Sequence, residues 1–333
     1  MKKINLQFPI TVFFLLLATG ICSCDRQKSV RIASGQVWNT FYNITYSSDR
    51  DLHDSIRQAM HTVELSLSPF CDSSLVSRIN RGEKIRTDSL LSRIFEASKT
   101  VNRFSFGAFD PTVAPLINLW GFGYKNGKGD PTQEEIDSAL TRVGIAGCLI
   151  DSAGYLVGIH PHTEYNFSAI TKGYGCDIVG EMLARNGVKD YMVEIGGEIA
   201  LKGESPRHAP WRIMIEAPVE NDTVFVRERL AVIGITDCGV ATSGNYRNHR
   251  TDASGQKRWH TISPVTGYPA ETDMLSATVI APTAMLADAY ATSAMALPTD
   301  SAVKMFDKLE GISALLVTPD TIIATDGFPS FKD

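Results

Sequence analysis

A carboxylate and a hydroxyl lie four residues apart near the end of the chain, at Asp288 and Thr292. Both fall in Ala284–Leu297, a stretch of small residues before a proline that predicts a helix, and residues four apart share one helix face. The rest of that face is nearly all alanine, which leaves room for a ligand. Mg²⁺ accepts carboxylate and hydroxyl oxygens together with substrate phosphates. The pair therefore indicates a magnesium–phosphate site, although an alanine face packed on a sheet, with Asp288 in solvent, would give the same pattern.

A second candidate is the stretch Asn166–Asp177, which carries Lys172 among small residues and leads into a helical pattern. The sequence predicts a loop through Lys172, Gly173 and Gly175 that ends at a helix N-terminus. Free backbone N–H groups and the positive end of the helix dipole favour phosphate at such a point. A tight strand-to-helix turn with a solvated lysine would look the same, and the stretch matches neither the dinucleotide nor the P-loop fingerprint.

A third candidate is His260, which stands in a strand-to-turn region beside Ser263 and Thr266. A histidine there could donate to a phosphate or carry a proton near neutral pH. A histidine satisfied in the core or on the surface is the alternative, and the sequence alone does not separate the two.

The elements that must position these residues are helices and strands mixed without regular alternation. Helices are predicted at Leu52–Leu67, Asp88–Asn102, Thr132–Val143 (from a capping box with Glu135), Gly173–Gly187, Ala284–Leu297 and Ser301–Leu309. Strands are predicted at Trp38–Tyr46, Cys148–Ile150, Leu156–Ile159, Tyr191–Ile195, Trp211–Glu216, Val224–Ile235, Gly239–Tyr246, Lys257–Ile262, Thr278–Ile280 and in the hairpin Ala314–Thr325. Gly196 and Gly197 are interpreted as a bulge, and Asp252–Gly255 as a hairpin turn. The predicted fold class is α+β, with mixed, mainly antiparallel sheets flanked by helices.

Length and composition describe a folded protein with a substantial core. The chain has 333 residues, 44% of them hydrophobic and 21% charged, and its formal net charge is −5. Because no run of basic residues is present, we expect no nucleic-acid partner. The cysteines beyond residue 24 form no CxxC pair, so the sequence predicts neither a zinc site nor a disulfide framework.

The N-terminus has the pattern of a bacterial export signal. A basic start is followed by the apolar stretch Phe8–Leu17, which is too short to span a bilayer, and then by small residues that lead to Cys24. This resembles a lipobox in which Cys24 is lipidated, with ordinary signal cleavage or a cysteine-bearing hydrophobic anchor as the alternatives. Residues 1–23 are thus a predicted signal peptide, residues 24–34 a polar tether and residues 35–333 the folded domain. We expect a lipid-anchored membrane protein of the cell envelope that faces the periplasm.

Several segments resemble, in the same order, the motifs of the FAD:protein FMN transferase (ApbE) family. The matches lie between Trp38 and Leu297, at Ser68–Asn80, Gly107–Thr112 with Leu119–Gly121, Asn166–Asp177, Glu194–Glu198, Ala241–Tyr246, His260–Gly267 and Ala287–Thr292. They include the strings Gly-Ala-Phe-Asp-Pro-Thr, Leu-Trp-Gly, Ala-Thr-Ser-Gly-Asn-Tyr and Ala-Asp-Ala-Tyr-Ala-Thr. One such match is weak evidence, but the whole ordered set indicates this family and an ApbE-like fold.

The resemblance implies a periplasmic enzyme that binds FAD and Mg²⁺, transfers FMN to a threonine hydroxyl of a target flavoprotein and releases AMP. The implied flavin contacts are Trp38, Phe70, Ala108, Phe109, Asp110, Asn166, Lys172 and Ile262. The implied metal ligands are the Ala169 carbonyl, the Asp288 carboxylate and the Thr292 hydroxyl. Lys172 would help to neutralise the FAD pyrophosphate, and Asp288 or His260 would take the threonine proton. The implied acceptors are flavin-bearing subunits of sodium- or proton-linked NADH:quinone or ferredoxin-linked respiratory complexes.

The chain departs from the family pattern at several positions. Trp38-Asn39-Thr40 stands where Met-Gly-Thr is usual, Phe70 replaces a tyrosine, and Asn166 and Ser263 replace aspartates. These changes put the number of metal ions and some flavin contacts in question, while the Asp288/Thr292 pair is kept. Two other functions fit the same residues. One is a pyrophosphatase that converts FAD to FMN and AMP, and the other is a non-catalytic FAD-binding lipoprotein.

Overall fold

The structure, a computed structural model, describes residues 29–125, 127, 129–218, 228–244, 249–251 and 257–332. Its strands are β1 (Val30–Val37), β2 (Thr40–Ser47), β3 (Leu149–Ile150), β4 (Leu156–Val157), β5 (Tyr191–Ile195), β6 (Glu198–Lys202), β7 (Trp211–Glu216), β8 (Arg229–Ile235), β9 (Gly239–Gly244), β10 (His249–Thr251), β11 (Lys257–Trp259), β12 (Ser276–Ala281), β13 (Ser313–Val317) and β14 (Ile322–Ala324). Its helices are α1 (His53–Leu67), α2 (Leu75–Asn80), α3 (Ser89–Phe104), α4 (Ala114–Leu119), α5 (Gln133–Leu140), α6 (Ser168–Arg185), α7 (Ala284–Met295) and α8 (Thr299–Phe306).

An eight-stranded sheet with the order β1-β2-β5-β6-β9-β12-β13-β14 organises these elements. Each neighbouring pair of strands in it is antiparallel. The pairs β3–β4, β7–β8 and β10–β11 form separate two-stranded antiparallel sheets. The predicted α+β class with mainly antiparallel sheets is confirmed.

Strands β9 and β13 of the large sheet are covered on both faces, and neighbouring residues of each strand point to opposite sides. Ala241 and Leu316 pack into the core beneath helices α3, α6, α7 and α8. Their neighbours Val240 and Leu315 pack instead against the β7–β8 hairpin. The helices therefore form one layer and the small hairpin another, with the large sheet between them.

Two helices, α3 and α5, begin at the capping residues that the sequence predicts. Asp88 caps α3 by accepting a hydrogen bond from the Leu91 N–H at 2.7 Å. Thr132 and Glu135 form both hydrogen bonds of the capping box of α5.

Within the described residues, no helix is long and apolar enough to cross a membrane. The four cysteines of this part of the chain, Cys71, Cys148, Cys176 and Cys238, carry free thiols.

The predicted loop at Lys172–Gly175 is wrong, because α6 already begins at Ser168. Its buried face starts with Ile170 and Tyr174, so the helical pattern covers the glycines rather than following them. The glycines serve close packing: a Cβ at Gly173 would lie 2.1 Å from the Ala284 carbonyl oxygen, and one at Gly175 would lie 2.5 Å from the Trp38 ring. These contacts compensate for the low helix propensity of glycine.

Two further predictions near the site need correction. Residues 30–34, expected in the tether, belong to β1, and Trp38 lies in the β1–β2 turn with φ +49° rather than in a strand. Gly196 and Gly197 form the tight turn of the β5–β6 hairpin rather than a bulge. Their φ angles of +68° and +104° are a conformation that glycine adopts without strain. The predicted turn Asp252–Gly255 lies outside the described residues. So do the first residues of the predicted strand Val224–Ile235, up to residue 227.

Candidate active site

Helices α6 and α7 bring the predicted metal ligands together. Asp288 and Thr292 lie one turn apart on α7, and Thr292 Oγ1 is 3.5 Å from the carbonyl oxygen of Ala169 on α6. Asp288 Oδ2 accepts a hydrogen bond from the Gly173 N–H at 3.0 Å. In an α-helix that N–H points to the carbonyl four residues earlier, which is that of Ala169, so the carboxylate lies beside the carbonyl. Three oxygen atoms that could bind a metal, from two segments far apart in sequence, therefore lie close together.

Asp177 fixes the position of α7 relative to α6. Its carboxylate accepts hydrogen bonds from the N–H groups of Ala284 and Met285, both at 2.9 Å. The N-terminus of a helix favours a negative charge there. Burial nevertheless dominates and raises the pKa of Asp177 to about 7.

Lys172 enters the same cluster from the second turn of α6. Its ammonium forms an ion pair with Oε1 of Glu198, the first residue of β6, which is 4% exposed. Burial opposes the charge of Lys172, but the Asp288 and Glu198 carboxylates outweigh that effect and raise its pKa. The lysine side chain as a whole is 35% exposed.

The cluster of Asp288, Glu198 and Lys172 has more acidic than basic groups. Burial raises the pKa of Asp288 and raises that of Glu198 to about 7, in each case against the opposing effect of Lys172. Glu198 Oε2 is buried without a hydrogen-bond partner among the described residues. Unpaired buried charge is costly, so a cation bound here would stabilise the site.

The donor atoms also suit the predicted magnesium ion. A carboxylate, a hydroxyl and a backbone carbonyl are hard oxygen ligands, and Mg²⁺ needs few of them when water and phosphate complete its shell. The part of the chain that the structure describes contains no convergent group of three His, Cys, Asp or Glu side chains. The set Ala169–Asp288–Thr292 consists of oxygen ligands and fits the predicted Mg²⁺.

A second group of predicted residues lies in the segment around Asp110, which is buried. Asp110 Oδ1 accepts hydrogen bonds from the N–H and hydroxyl of Thr112 at 2.8 and 2.5 Å, and Oδ2 accepts one from the Ile145 N–H at 2.9 Å. Burial still raises the pKa of Asp110 above its usual value. Its carboxylate therefore holds the loop that carries Ala108 and Phe109, which are 8% and 3% exposed.

The loop after Ile262 packs against this segment. Ile262 is buried and bridges to Pro269, and the Trp120 indole N–H donates to the Gly267 carbonyl at 2.8 Å. Val265 Cγ2 lies 3.8 Å from where a Cβ on Gly107 would stand. The motifs Gly107–Gly121 and His260–Gly267, which are far apart in sequence, therefore form one surface, on which Val265 is 66% exposed.

Asn166 connects the two groups. Its N–H donates to the Pro111 carbonyl at 2.8 Å, beside Asp110, and its Oδ1 accepts from the Ser168 N–H at 2.9 Å, at the start of α6. The predicted phosphate site at a helix N-terminus beyond Gly173 is thus wrong, because the helix starts at Ser168 and Asn166 already binds that amide.

Two predicted aromatic contacts have different settings. Phe70 is 63% exposed and meets the ring of Tyr124 edge-to-face at 6.1 Å. Tyr124 is tied by hydrogen bonds to Asn80 at 3.2 Å and Glu164 at 2.9 Å. Trp38 instead packs on α6 over Gly175, and its indole N–H is buried without a partner among the described residues. Phe70 is therefore available to a ligand, whereas Trp38 is chiefly a packing residue.

His260 directly follows β11 and is partly buried. The next residue, Thr261, accepts a hydrogen bond from the Ala270 N–H at 2.8 Å, which joins this segment to the one after the Ile262–Gly267 loop. The segment that carries His260 thus adjoins the second group.

Sequence reasoning missed two polar residues of the first group. Glu198 pairs with Lys172, and Ser243 Oγ on β9 lies 3.5 Å from Thr292 Oγ1. Both stand inside motifs that were recognised. The available signal for Glu198 was a charged residue at an inward position of β6, next to the apolar residues Ile199–Leu201.

Comparison with known proteins gives a consistent result. The ApbE family model matches residues 38–316. The FAD:protein FMN transferase of Haemophilus influenzae is 32% identical, over 96% of this chain and 96% of its own length, and that of Escherichia coli K12 is 29% identical, over 93% and 92%. The flavin transferase ApbE from Vibrio cholerae has a TM-score of 0.79 at 32% identity, covering 90% of this chain and 98% of that one. The apo form of Pseudomonas stutzeri flavinyl transferase ApbE has a TM-score of 0.80 at 29% identity, covering 90% and 96%.

Proposed function

The chain belongs to the ApbE family, and on that premise we propose that it transfers FMN from FAD to a threonine hydroxyl of a target flavoprotein, with Mg²⁺ as cofactor and AMP as product. The relatives described above are FAD:protein FMN transferases. The observation that carries the proposal for this chain is the buried cluster between α6, α7 and β6. It places one fixed cation, Lys172, beside the three oxygen donors of Ala169, Asp288 and Thr292.

The reaction forms one bond and breaks one. The threonine oxygen bonds to the phosphorus of the FMN half of FAD, and the bond from that phosphorus to the oxygen of the AMP half breaks. AMP leaves with the electron pair, so negative charge grows on its phosphate. Lys172 would offset that charge, because its ammonium is held by Glu198 and interacts with Asp288.

The remaining tasks divide among the other residues. Asp288, Thr292 and the Ala169 carbonyl would hold Mg²⁺, which when bound would neutralise part of the pyrophosphate charge. The threonine proton would pass to Asp288 or His260. A His260→Ala variant that keeps the pH profile of the wild type would assign this step to Asp288.

The second group of residues would bind the flavin half. Phe70 and Val265 present exposed apolar surface of the kind on which a planar ring can pack. Ala108, Phe109 and Ile262 are buried in the segments that carry Gly107 and Val265. Asp110 would support this surface rather than bind flavin directly, since both its oxygens already accept hydrogen bonds.

Export and anchoring complete the proposal. A lipid on Cys24 would hold the enzyme at a membrane of the cell envelope, facing the periplasm. Proteins with flavin on the same side, such as subunits of sodium- or proton-linked respiratory complexes, would then be within reach as acceptors. The pattern of small residues before Cys24 supports this placement.

The deciding experiment compares membrane proteins from cells with and without this gene. Tryptic peptides are searched by mass spectrometry for threonine that carries FMN through a phosphoester. We expect such a peptide only when the gene is present, and its absence in both samples would contradict the transferase function.

A second assay separates the transferase from the two alternatives. The purified full-length protein is incubated with FAD and Mg²⁺ without acceptor, and AMP is measured. Rapid release of AMP and FMN would identify a pyrophosphatase. No AMP release even with the acceptor identified in the first experiment would identify a flavin-binding protein. The transferase predicts release only when acceptor is added.

A further inference from the structure

Glu198 follows a turn in which Gly196 leaves room for the Lys172 side chain. It follows the Gly196–Gly197 turn directly and is the first residue of β6. A Cβ on Gly196 would lie 3.2 Å from Lys172 Cδ and 3.1 Å from Thr40 Cγ2, tighter than ordinary packing. The glycine therefore leaves a channel for the lysine stem, and Glu198 receives the ammonium at its end.

The β6 strand is joined to α6 at two atoms of this one residue. Glu198 Oε1 accepts from the Lys172 ammonium, and the Glu198 carbonyl accepts from Cys176 Sγ at 3.1 Å. Cys176 lies one turn beyond Lys172 on the same helix. The backbone contact can hold the two elements together without the carboxylate, so packing alone does not explain an acidic side chain here.

The carboxylate has an energetic cost that packing does not offset. Glu198 is 4% exposed, its Oε2 has no hydrogen-bond partner among the described residues, and the Asp288 carboxylate adds repulsion. Apolar residues often replace a buried ion pair with equal or greater stability. A buried acidic side chain at such a position points to a role for its negative charge.

We propose that Glu198 is a positioning residue, which holds the Lys172 ammonium protonated and aimed at the pyrophosphate of bound FAD. Lys172 has several rotatable bonds and a side chain that is 35% exposed, so without Glu198 its ammonium would spread over more positions. The inference rests on the proposed function, because the pyrophosphate is the group that the ammonium meets. Glu198 itself, being buried, acts through Lys172 and does not touch the substrate.

The first test is made on the full-length protein without FAD. Acetic anhydride at pH 8 labels amines according to their deprotonated fraction, and mass spectrometry gives the labelling rate of Lys172. We expect the rate to rise several-fold in Glu198→Gln, since the amide cannot stabilise the charge. Cys176→Ala is the matched control: it removes the other contact of α6 with Glu198, and we expect Lys172 labelling as in the wild type. An unchanged rate in Glu198→Gln, or an equal rise in both variants, would overturn the proposal.

The second test is a double-mutant cycle on kcat/KM for FAD and on the FAD dissociation constant. We expect Glu198→Gln and Lys172→Ala each to lower kcat/KM by about ten- to a hundredfold, since each loses a charge-assisted contact. We expect the double variant to lose no more than Lys172→Ala alone. Losses that multiply in the double variant would mean that Glu198 acts independently of Lys172.

A shorter carboxylate gives a third variant if the amide folds poorly. Glu198→Asp keeps the charge on an arm one methylene shorter, and we expect it to recover at least part of the affinity for FAD that Glu198→Gln loses. Equal affinity of the Asp and Gln variants would contradict a role for charge. If the wild type transfers no FMN, the proposed function fails, whereas the labelling result still decides whether Glu198 controls Lys172.

Discussion

At the scale of single residues, the main consequence concerns Lys172 as the partly exposed cation of the cluster. A charge-assisted hydrogen bond to phosphate contributes about 1.5–3 kcal/mol. We therefore expect Lys172→Ala to lower kcat/KM for FAD by roughly ten- to a hundredfold, at about 1.4 kcal/mol per decade. The measurement is steady-state kinetics with a fixed acceptor at several salt concentrations. Lys202→Ala is the control, because that lysine pairs with Asp237 on the surface; equal effects of the two substitutions would remove Lys172 from the site.

A substitution at Asp288 tests the role of its negative charge separately from that of its shape. In Asp288→Asn the amide oxygen can still accept from the Gly173 N–H, so the α6–α7 contact is kept while the negative charge is lost. We expect transfer to fall by at least about a hundredfold, with little change in the unfolding temperature. Ser293→Ala, a buried polar change on the same helix, should leave activity near that of the wild type. Full activity of Asp288→Asn at saturating Mg²⁺ would show that this carboxylate is not a ligand.

At the scale of elements, the contact of α6 with α7 depends on the missing side chain of Gly173. A Cβ there would lie 2.1 Å from the Ala284 carbonyl oxygen and 2.8 Å from Asp288 Cβ. We expect Gly173→Ala to lower the free energy of unfolding by about 1–3 kcal/mol and to reduce transfer, because the helices must separate. Urea unfolding and the transfer assay measure the two effects. Thr171→Ala on the same helix, where no volume is added, should leave both nearly unchanged.

Asp177 makes the stability of this helix pair depend on pH. Its pKa is about 7 in the folded protein against a usual 3.8, so the folded state binds a proton that the unfolded state has lost. Folding therefore takes up a proton between about pH 4 and pH 7, and stability decreases as pH rises through that window, by up to about 1.4 kcal/mol per unit.

The check is urea unfolding of Asp177→Asn at pH 5 and pH 8. The asparagine cannot titrate, so we expect its stability to change less between the two values than that of the wild type. Asp54→Asn, on the exposed surface of α1, is the control and should behave as the wild type. A wild-type stability that rises from pH 5 to pH 8, with the same rise in Asp177→Asn, would contradict this role.

The elements that the sequence predicted well are those whose signals are local. The Asp88 cap and the Thr132–Glu135 box lie within a few residues of the bonds they make, and both formed as expected. Gly173 and Gly175 misled the prediction, because their reason lies in other segments, Ala284 and Trp38, which approach them closely. A glycine that permits packing and a glycine that permits a turn look alike in sequence.

At the scale of the whole molecule, the family resemblance grouped the candidate metal ligands better than any pattern in the residues. The ordered motifs gathered Ala169, Asp288 and Thr292 in advance, and the structure does bring these three together. The resemblance could not supply the pairing of Lys172 with Glu198, because that contact depends on the turn that starts β6. A single sequence has no signal for which acid on a strand faces which base on a helix.

The N-terminal anchor is a prediction about the whole molecule, and Cys24 carries it. We expect Cys24→Ser to give unprocessed precursor or soluble protein, because the lipid acceptor is lost. Cys22→Ser, two residues earlier, is the matched control and should still fractionate with membranes. If Cys24→Ser is processed and remains with membranes, the lipobox interpretation is wrong. Fractionation of cells followed by mass measurement of the mature N-terminus decides it.

The hydrogen bond from Gly173 to Asp288 joins residues that are 115 positions apart, and the contact of Ala169 with Thr292 joins residues 123 apart. As the ribosome makes the chain, α6 and the large sheet up to β9 emerge long before α7 exists. A growing chain therefore contains no complete site until nearly its last helices are made. The nascent chain therefore cannot turn over FAD while it is still being made. Activity begins only after almost the whole chain has been synthesised and has folded.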